Sequence, residues 1–439
     1  MCADFKLFKI VRLAFIPAED VIKIKNALII CAALLLINVI SCKKNEVIIV
    51  WSLDDEVEGI INNYYLKDNP DFKFNYFIKT ADQFSDLLDP AFDSGRTIPD
   101  VIVLNSDFVR KYAESGLLLD ITGIYERNKS KLIAYPVETG TYNNKVYSMS
   151  WQACPGAVFY RRSLAKKYIG TDNPAIVQAY FSDFNIFLET AKLVKIRSDN
   201  SCVIVTDSGD LYNAFLGARN APWIVNNSLV IDPVMNAYMD IKKTFYENNY
   251  DARVKQWSED WTAGMNDILF DEEGKQLEVF SYFLPAMDLH RVMKSNAEST
   301  SGDWAVIPGP AFYHWGGKWL GAWKNTKTPG AAKKLIEYIT ANNDFLSSYA
   351  QDSGDIVSNT EVINQIQNSF SEPFLDGQNY YLEFAAMALN IDGKLVQMTD
   401  KAIQDIFSGE VDAYIKDEKT KDEALADFIQ QVNVLLGLD

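Results

Sequence analysis

Histidine is nearly missing from this chain of 439 residues, where His290 and His314 are the only two. The five cysteines are scattered as well, so neither residue type gathers into the clusters from which metal sites usually draw their ligands. No metal and no cofactor is therefore expected. Positive charge is the second shortage. Lys and Arg total 42 against 59 Asp and Glu, a net charge of -17, whereas a nucleic-acid partner needs a basic footprint to displace counterions. A Gly-rich phosphate loop and a nucleophile motif are also missing. Carboxylates and tryptophans together do not make a glycosidase, because its two acids must flank one bond about 5 to 9.5 Å apart. No catalytic residue is assigned.

What remains is globular, with 48% hydrophobic and 23% charged residues. The length exceeds what one ordinary core serves, so two domains are expected. Aromatic residues make up 13%, including nine Trp and 22 Tyr. Such rings cover the flat apolar faces of sugars, and they fill cores equally well.

The front end reads as an address. Lys23 and Lys25 precede the apolar run ALIICAALLLINVI at residues 27–40, and Ser41-Cys42 follows. A basic stretch, a short apolar run and a small residue before the cut describe a secretory signal. The run is short for a membrane span, which takes roughly 20 residues. Cys42 after Val39, Ile40 and Ser41 resembles a relaxed bacterial lipobox. That resemblance implies cleavage before Cys42, its lipidation and a multi-chain membrane anchor. The reading is a signal over residues 1–41 and a tether over 42–45. Asp4, Glu19 and Asp20 dilute the basic region, and translation is expected to begin near Val21. Cys154 and Cys202 remain in the mature chain, and spacing alone does not pair them.

VIIVW at 47–51, FKFNYF at 72–77 and DVIVL at 100–104 read as strands. Helical patterns lie between and after them, the first capped by Ser52, Asp54 or Asp55 and the second carried by Phe84, Leu87, Leu88 and Phe92. A β-α-β-α-β order predicts a parallel sheet with right-handed crossovers, and ligands gather at the carboxyl ends of its strands. Those ends offer Trp51, Asp54 and Asp55, then Asn105 and Asp107. The same acids can simply cap helices. Trp151 to Gly156 breaks a strand with Pro155-Gly156 and fits an interdomain hinge. Trp223 precedes a hairpin at Asn226-Asn227, and Trp257 and Trp261 stand four residues apart. Residues 302–340 run from an apolar strand through a Gly/Pro/Trp loop into a helix that Thr328 caps and Pro329 opens. Trp315, beside Gly316-Gly317, is the best ligand candidate of that loop, while Trp319 and Trp323 lean towards packing. Few arginines lie near these loops, which fits a phosphorylated solute poorly.

VWSLDDEVEGIINNYY, PDVIVLNSDFVRKYAESGLLLDIT, NNKVYSMSWQACPGAVFYRRSLAKKY, WTAGM, the whole 302–340 stretch and SGDIVSNTEVI occur in this order. In them the chain resembles the family 1 extracellular solute-binding proteins of ABC importers, the sugar-binding branch. The resemblance implies a two-lobed α/β periplasmic-binding-protein fold, each lobe a mainly parallel sheet flanked by helices, with ligand in the interlobe cleft. Residues 46–152 and 304–350 are expected in the first lobe, 153–303 and 351–439 in the second. It implies ligand contacts at Trp51, Asp54, Asp55, Asn105, Asp107 and Trp151, and further ones at Trp223, Trp257, Trp261 and Trp315. The expected partners are a small solute, most simply a carbohydrate, an ABC permease and a lipid anchor, with the exported protein a monomer. A surface lipoprotein acting as adhesin or sensor accessory, or an importer subunit for a polyamine or peptide, are the alternatives.

Overall fold

Eight strands frame the molecule: β1 (Val47–Ser52), β2 (Lys73–Ile78), β3 (Val101–Asn105), β4 (Ser148–Met149), β5 (Gly156–Arg161), β6 (Ser281–Pro285), β7 (Trp304–Ile307) and β8 (Lys318–Ala322). The structure, a computed structural model, describes residues 47–80, 98–271 and 273–438. Cys42, the signal and the helix expected at Phe84 to Phe92 lie outside the described residues. Residues Ile48–Asp439 form one compact unit. Among the described residues, no helix is long and apolar enough to cross a membrane.

Two sheets organise that unit. The first has the order β2-β1-β3-β8-β4. Its centre is β-branched sequence, VIIVW beside VIVL, which fits a pleated surface buried on both faces. β1 and β3 run parallel, Val50 opposite Val101, as the sequence predicts. β8 then joins antiparallel, Lys318 opposite Asn105 and Ala322 opposite Val101, and β4 pairs antiparallel with β8. The second sheet, β6-β5-β7, is antiparallel throughout and every one of its residues is buried. Mainly parallel pairing was expected in both lobes. The chain crosses between sheets and re-enters each against the direction of the strand it meets, so mixed and antiparallel ladders result. The return to the first sheet also falls later than expected. Trp304 to Ile307 pairs with β5 in the second sheet, and residues 308–317 are themselves the crossing that delivers β8.

The helices used below are α1 (Glu56–Ile60), α2 (Ser106–Glu114), α3 (Tyr212–Gly217), α4 (Pro329–Ala341), α5 (Asn343–Ser353), α6 (Asp400–Ile415) and α7 (Lys421–Leu436). α4 opens with Pro329 as expected and buries Ala332, Leu335, Ile336 and Ile339. Thr328 precedes it without a side-chain cap; its Oγ1 instead lies 3.2 Å from that of Thr326. α7 begins in a full capping box, Thr420 with Glu423. Phe407 of α6 and Phe428 of α7 close over Trp223.

Three segments run together between the sheets. Residues 150–155 carry the chain from β4 to β5, residues 308–317 from β7 to β8, and residues 354–359 lie alongside. Ala153 N donates to Ile356 O at 2.8 Å, Ser358 N to Trp151 O at 2.9 Å, Trp315 N to Cys154 O at 2.9 Å and Gly156 N to Tyr313 O at 2.8 Å. The Pro155-Gly156 break read as a hinge sits in this ribbon. Cys154 and Cys202 are both buried and free, and burial raises each thiol above its usual range.

Candidate functional site

The carboxyl end of β3 turns directly into α2. Asn105 supplies the cap, its Oδ1 accepting from Phe108 N at 3.2 Å, so its side chain is committed to the helix. Ser106 and Asp107, in the first turn of α2, face a cavity of about 320 Å³. Across that cavity stand the end of α3 with Arg219, and the segment 391–404 with the first turn of α6. Its third wall is the second crossing, Phe312 to Gly316. Trp315 is half-buried there and packs against the second-lobe core. The crossing can pass so close only because position 217 is glycine: a Cβ there would lie 2.3 Å from Cβ of Tyr313. Gly316 and Gly317 then take φ of +79° and +97°, a backbone that L side chains avoid.

The electrostatics of this cavity come from a buried pair. Arg219 and Asp400 are 7% and 8% exposed, with Nη2 and Oδ2 3.7 Å apart. Arg219 Nε donates to Leu216 O at 2.9 Å, and the guanidinium lies 5.1 Å from the centroid of Trp223. Burial pushes the Asp400 carboxyl up to about 6 despite the opposing Arg219 charge, and burial holds Arg219 below its ordinary range. His314, in the same wall, is brought down to about 4 by burial. Gln397 is already used, since its amide donates to Ile224 O at 2.7 Å and accepts from Ile224 N at 2.8 Å.

A second cavity, about 440 Å³, opens at the end of β1. Asp54 and Asp55 line it together with Glu56, Arg291, Lys318 and Asp355. Asp54 accepts from Glu56 N at 3.2 Å in a local turn and also ion-pairs with Lys318, while Asp55, at the N-cap of α1, makes no side-chain cap bond. Glu56 is the hub: Gln152 Nε2 lies 2.7 Å from its Oε1, the Tyr349 hydroxyl 2.7 Å from the same oxygen, and Arg291 Nη2 3.3 Å from its Oε2. Arg291 also reaches Asp355 at 3.2 Å. Burial works to lower Arg291, and Asp355 and Glu56 outweigh it, so its charge is held firmly. A further hollow beside Tyr125 and Val137 is lined by none of the residues singled out in the sequence, and its ions are paired, Arg110 with Glu114 and Lys394 with Glu138.

Of the residues singled out by sequence, Trp315 and Asp107 meet in the first cavity, and Asp54 and Asp55 in the second. The other tryptophans do not join them. Trp151, Trp223 and Trp261 are completely buried. Trp223 packs at 5.4 and 5.6 Å on Phe407 and Phe428, and Trp261 at 5.4 Å on Tyr282, so these rings fill core rather than present a platform. Trp51 is buried beside Ile102, Leu104 and Trp319. Trp257 is 54% exposed at φ +68°, outside both cavities. Trp319 packs as expected, its Nε1 donating to Pro136 O at 2.6 Å. The scarcity of arginine near the loops is corrected: Arg219 and Arg291 both line cavities. Sequence reasoning missed them, with Glu56, Lys318, Asp355 and Asp400, because each lies far along the chain from its partners and no local motif marks it.

Two sheet-centred lobes joined by a ribbon of crossings, with polar cavities at the strand ends, define a solute-binding architecture. The profile of the bacterial extracellular solute-binding proteins matches residues 63–372, and the chain belongs to that family. Solved structures agree on the fold. A family 1 extracellular solute-binding protein superposes with a TM-score of 0.77 at 16% identity, covering 89% of this chain and 99% of its own. The sugar-binding protein MalE from Xanthomonas citri gives 0.72 at 14% identity, covering 89% and 98%. The ABC transporter associated binding protein from B. animalis subsp. lactis, in complex with beta-1,6-galactobiose, gives 0.67 at 20% identity, covering 89% and 97%. A comparison with curated protein sequences finds no match.

Proposed function

We propose that this chain is the solute-binding subunit of an ABC importer and captures a short neutral carbohydrate in the cavity beside Trp315. The observation that carries the reading is the composition of that wall. A half-buried indole stands with Asp107, Asp400 and Arg219 around one concave space. An aromatic face supplies apolar area to a sugar ring, and carboxylates and guanidinium fix its hydroxyls. A volume of about 320 Å³ is at the lower end of ligand pockets, roughly 300–1,000 Å³, and suits one or two rings better than a long chain. Structural relatives named for sugars, among them the galactobiose complex, support the same class.

Closure of the two lobes about the crossings buries the solute, and the closed form docks on a membrane permease. Solute drives closure only through its preference for the closed state. The apolar run before Cys42 supports export and lipidation at that cysteine, with an anchor that keeps the protein beside the permease. Capture and delivery need no bond-breaking group. A thermal-shift screen of the full chain against neutral sugars, polyamines and short peptides tests the substrate class. A sugar at 100 times its dissociation constant stabilises by about 2.7 kcal/mol; a shift with a polyamine or peptide and none with any sugar overturns the reading.

A further inference from the structure

One carboxylate oxygen in the second cavity is shared between the two lobes. Oε2 of Glu56 lies 2.5 Å from Nζ of Lys318 and 3.3 Å from Nη2 of Arg291. Glu56 opens α1, which follows β1, and Lys318 opens β8, so both belong with the first sheet; Arg291 follows β6 of the second sheet. The contact to Lys318 is therefore internal to one lobe, and the contact to Arg291 joins the two. The joining contact is the longer, and the Arg291 side chain is 39% exposed against 14% for Lys318 and 17% for Glu56.

What each group keeps when the joining contact breaks decides its role. Oε1 of Glu56 stays with Gln152 Nε2 and the Tyr349 hydroxyl, each at 2.7 Å, and Oε2 stays with Lys318. Lys318 has Asp54 at 2.5 Å as well. Arg291 keeps Asp355 at 3.2 Å, beside the ribbon of crossings, where a turn of the lobes moves atoms least. Its Nη1 also keeps Sδ of Met287 at 3.2 Å. No buried charge is orphaned, so the penalty that makes a buried ion pair hard to break does not arise at this contact. A permanent staple lacks such second partners.

We propose that Glu56 and Arg291 form a releasable clasp that holds the lobes together before any solute arrives, with Lys318 and Asp355 taking over the two charges when it opens. The inference needs the two-lobed architecture alone and is independent of which solute the protein takes. A partly exposed ion pair is worth a factor of up to about five in an equilibrium constant. That is enough to move the balance between open and closed forms when neither greatly outweighs the other. A solute that binds only the closed form gains affinity in proportion to the closed fraction. Salt reaches a pair this exposed and weakens it, so ionic strength sets the balance alongside solute.

The test is small-angle X-ray scattering of the full chain without solute, at about 20 mM and about 500 mM sodium chloride. The unaltered protein is compact at low salt, and its radius of gyration rises at high salt. Glu56→Gln keeps the side-chain length and the oxygen that Gln152 and Tyr349 hold, and removes the charge that Arg291 faces. It gives the larger radius already at low salt and no further rise. Arg291→Gln does the same, and the double variant expands no more than either alone. Lys318→Gln discriminates: it removes a partner within the first lobe and leaves the clasp, so its radius stays that of the unaltered protein, whereas a network that only stabilises the fold loosens with any of the three. An unchanged radius in Glu56→Gln, an equal expansion in Lys318→Gln, or a salt response that survives in Glu56→Gln overturns the clasp. Should Arg291→Gln not fold, Glu56→Gln and the salt series on the unaltered protein decide. No solute is present in these measurements, so their failure leaves the sugar reading standing, and the thermal-shift screen decides that reading separately.

Discussion

Under the proposed reading, Asp400 is the buried carboxylate that ties pH to solute capture. Its ordinary value of 3.8 is raised to about 6 by burial, so the folded protein holds that proton more tightly than the unfolded chain. This group therefore adds stability below pH 4, and the contribution is lost as pH rises through 6. Solute hydroxyls prefer the ionised form, so binding runs the other way. Affinity for a neutral sugar is expected to hold above pH 6 and to fall below it, towards a limit of about tenfold per pH unit. Arg219 and Arg110 face Asp400, and Asp107, Asp392, Lys401 and His314 share its cavity. His314 titrates near 4 and costs stability as pH falls from 6.5, so affinity rather than melting point is the readout. In Asp400→Asn the fall below pH 6 disappears; its persistence would place the titrating group elsewhere. The tryptophans give the contrasting case. Gly316-Gly317 set Trp315 apart from Trp319 in the sequence, but no such local mark separates Trp151, Trp223 or Trp261 from a ring that lines a cavity, since both ask for a large aromatic. Trp223→Ala and Trp151→Ala remove fully buried rings and are expected to cost about 3–5 kcal/mol in denaturant unfolding. Trp315→Ala should cost the unliganded protein about 1 kcal/mol or less and weaken sugar binding.

Elements were far more legible than residues, for reasons the strands and α4 make plain. VIIVW and VIVL read as strands because β-branched runs leave few other choices, and Pro329 with the Ala/Leu/Ile period of α4 fixes a helix start and an inward face. The strand directions of the second sheet were not legible, because pairing partners there lie more than 100 residues apart, as with Ser281 opposite Tyr160 and Trp304 opposite Arg161. The same holds for the loops. Asp107 could be placed at a strand end from sequence, while Arg219 and Asp400 met across the cavity only through the packing of α3 against α6. One small residue sets how closely α3 meets the second crossing. Gly217→Ala introduces a Cβ 2.3 Å from Tyr313, and the crossing must move to admit it. A loss of about 1–3 kcal/mol in thermal unfolding is expected, with weakened sugar binding, because Trp315 lies two residues beyond Tyr313. An unchanged melting point and affinity would show that the crossing yields freely.

At the scale of the molecule, the ribbon of crossings is flanked by ions that reach it from several elements. Glu56 comes from the start of α1, Lys318 from β8 of the first sheet, Arg291 from the chain after β6, and Asp355 from the segment alongside the crossings. Arg291→Ala strips Asp355, itself only 6% exposed, of its cationic partner. Breaking a buried pair costs about 3–5 kcal/mol; with the arginine partly exposed, a loss of about 1–2 kcal/mol is expected. Equal stability of the variant in urea would show the pair to be incidental. The two-lobed plan was visible in the order of segments from VWSLDDEVE to SGDIVSNTEVI, whereas the late re-entry at β8 depended on which strand β7 chose to pair with. All of this converges on one place, the cavity where the second crossing meets α2, α3 and α6. The most direct measurement is a crystal structure of the full chain soaked with the best-binding neutral saccharide. Sugar density against Trp315, with hydroxyls at hydrogen-bond distance from Asp400, is the predicted result. Density in the cavity between Asp54 and Arg291, or at the exposed Trp257, would contradict it.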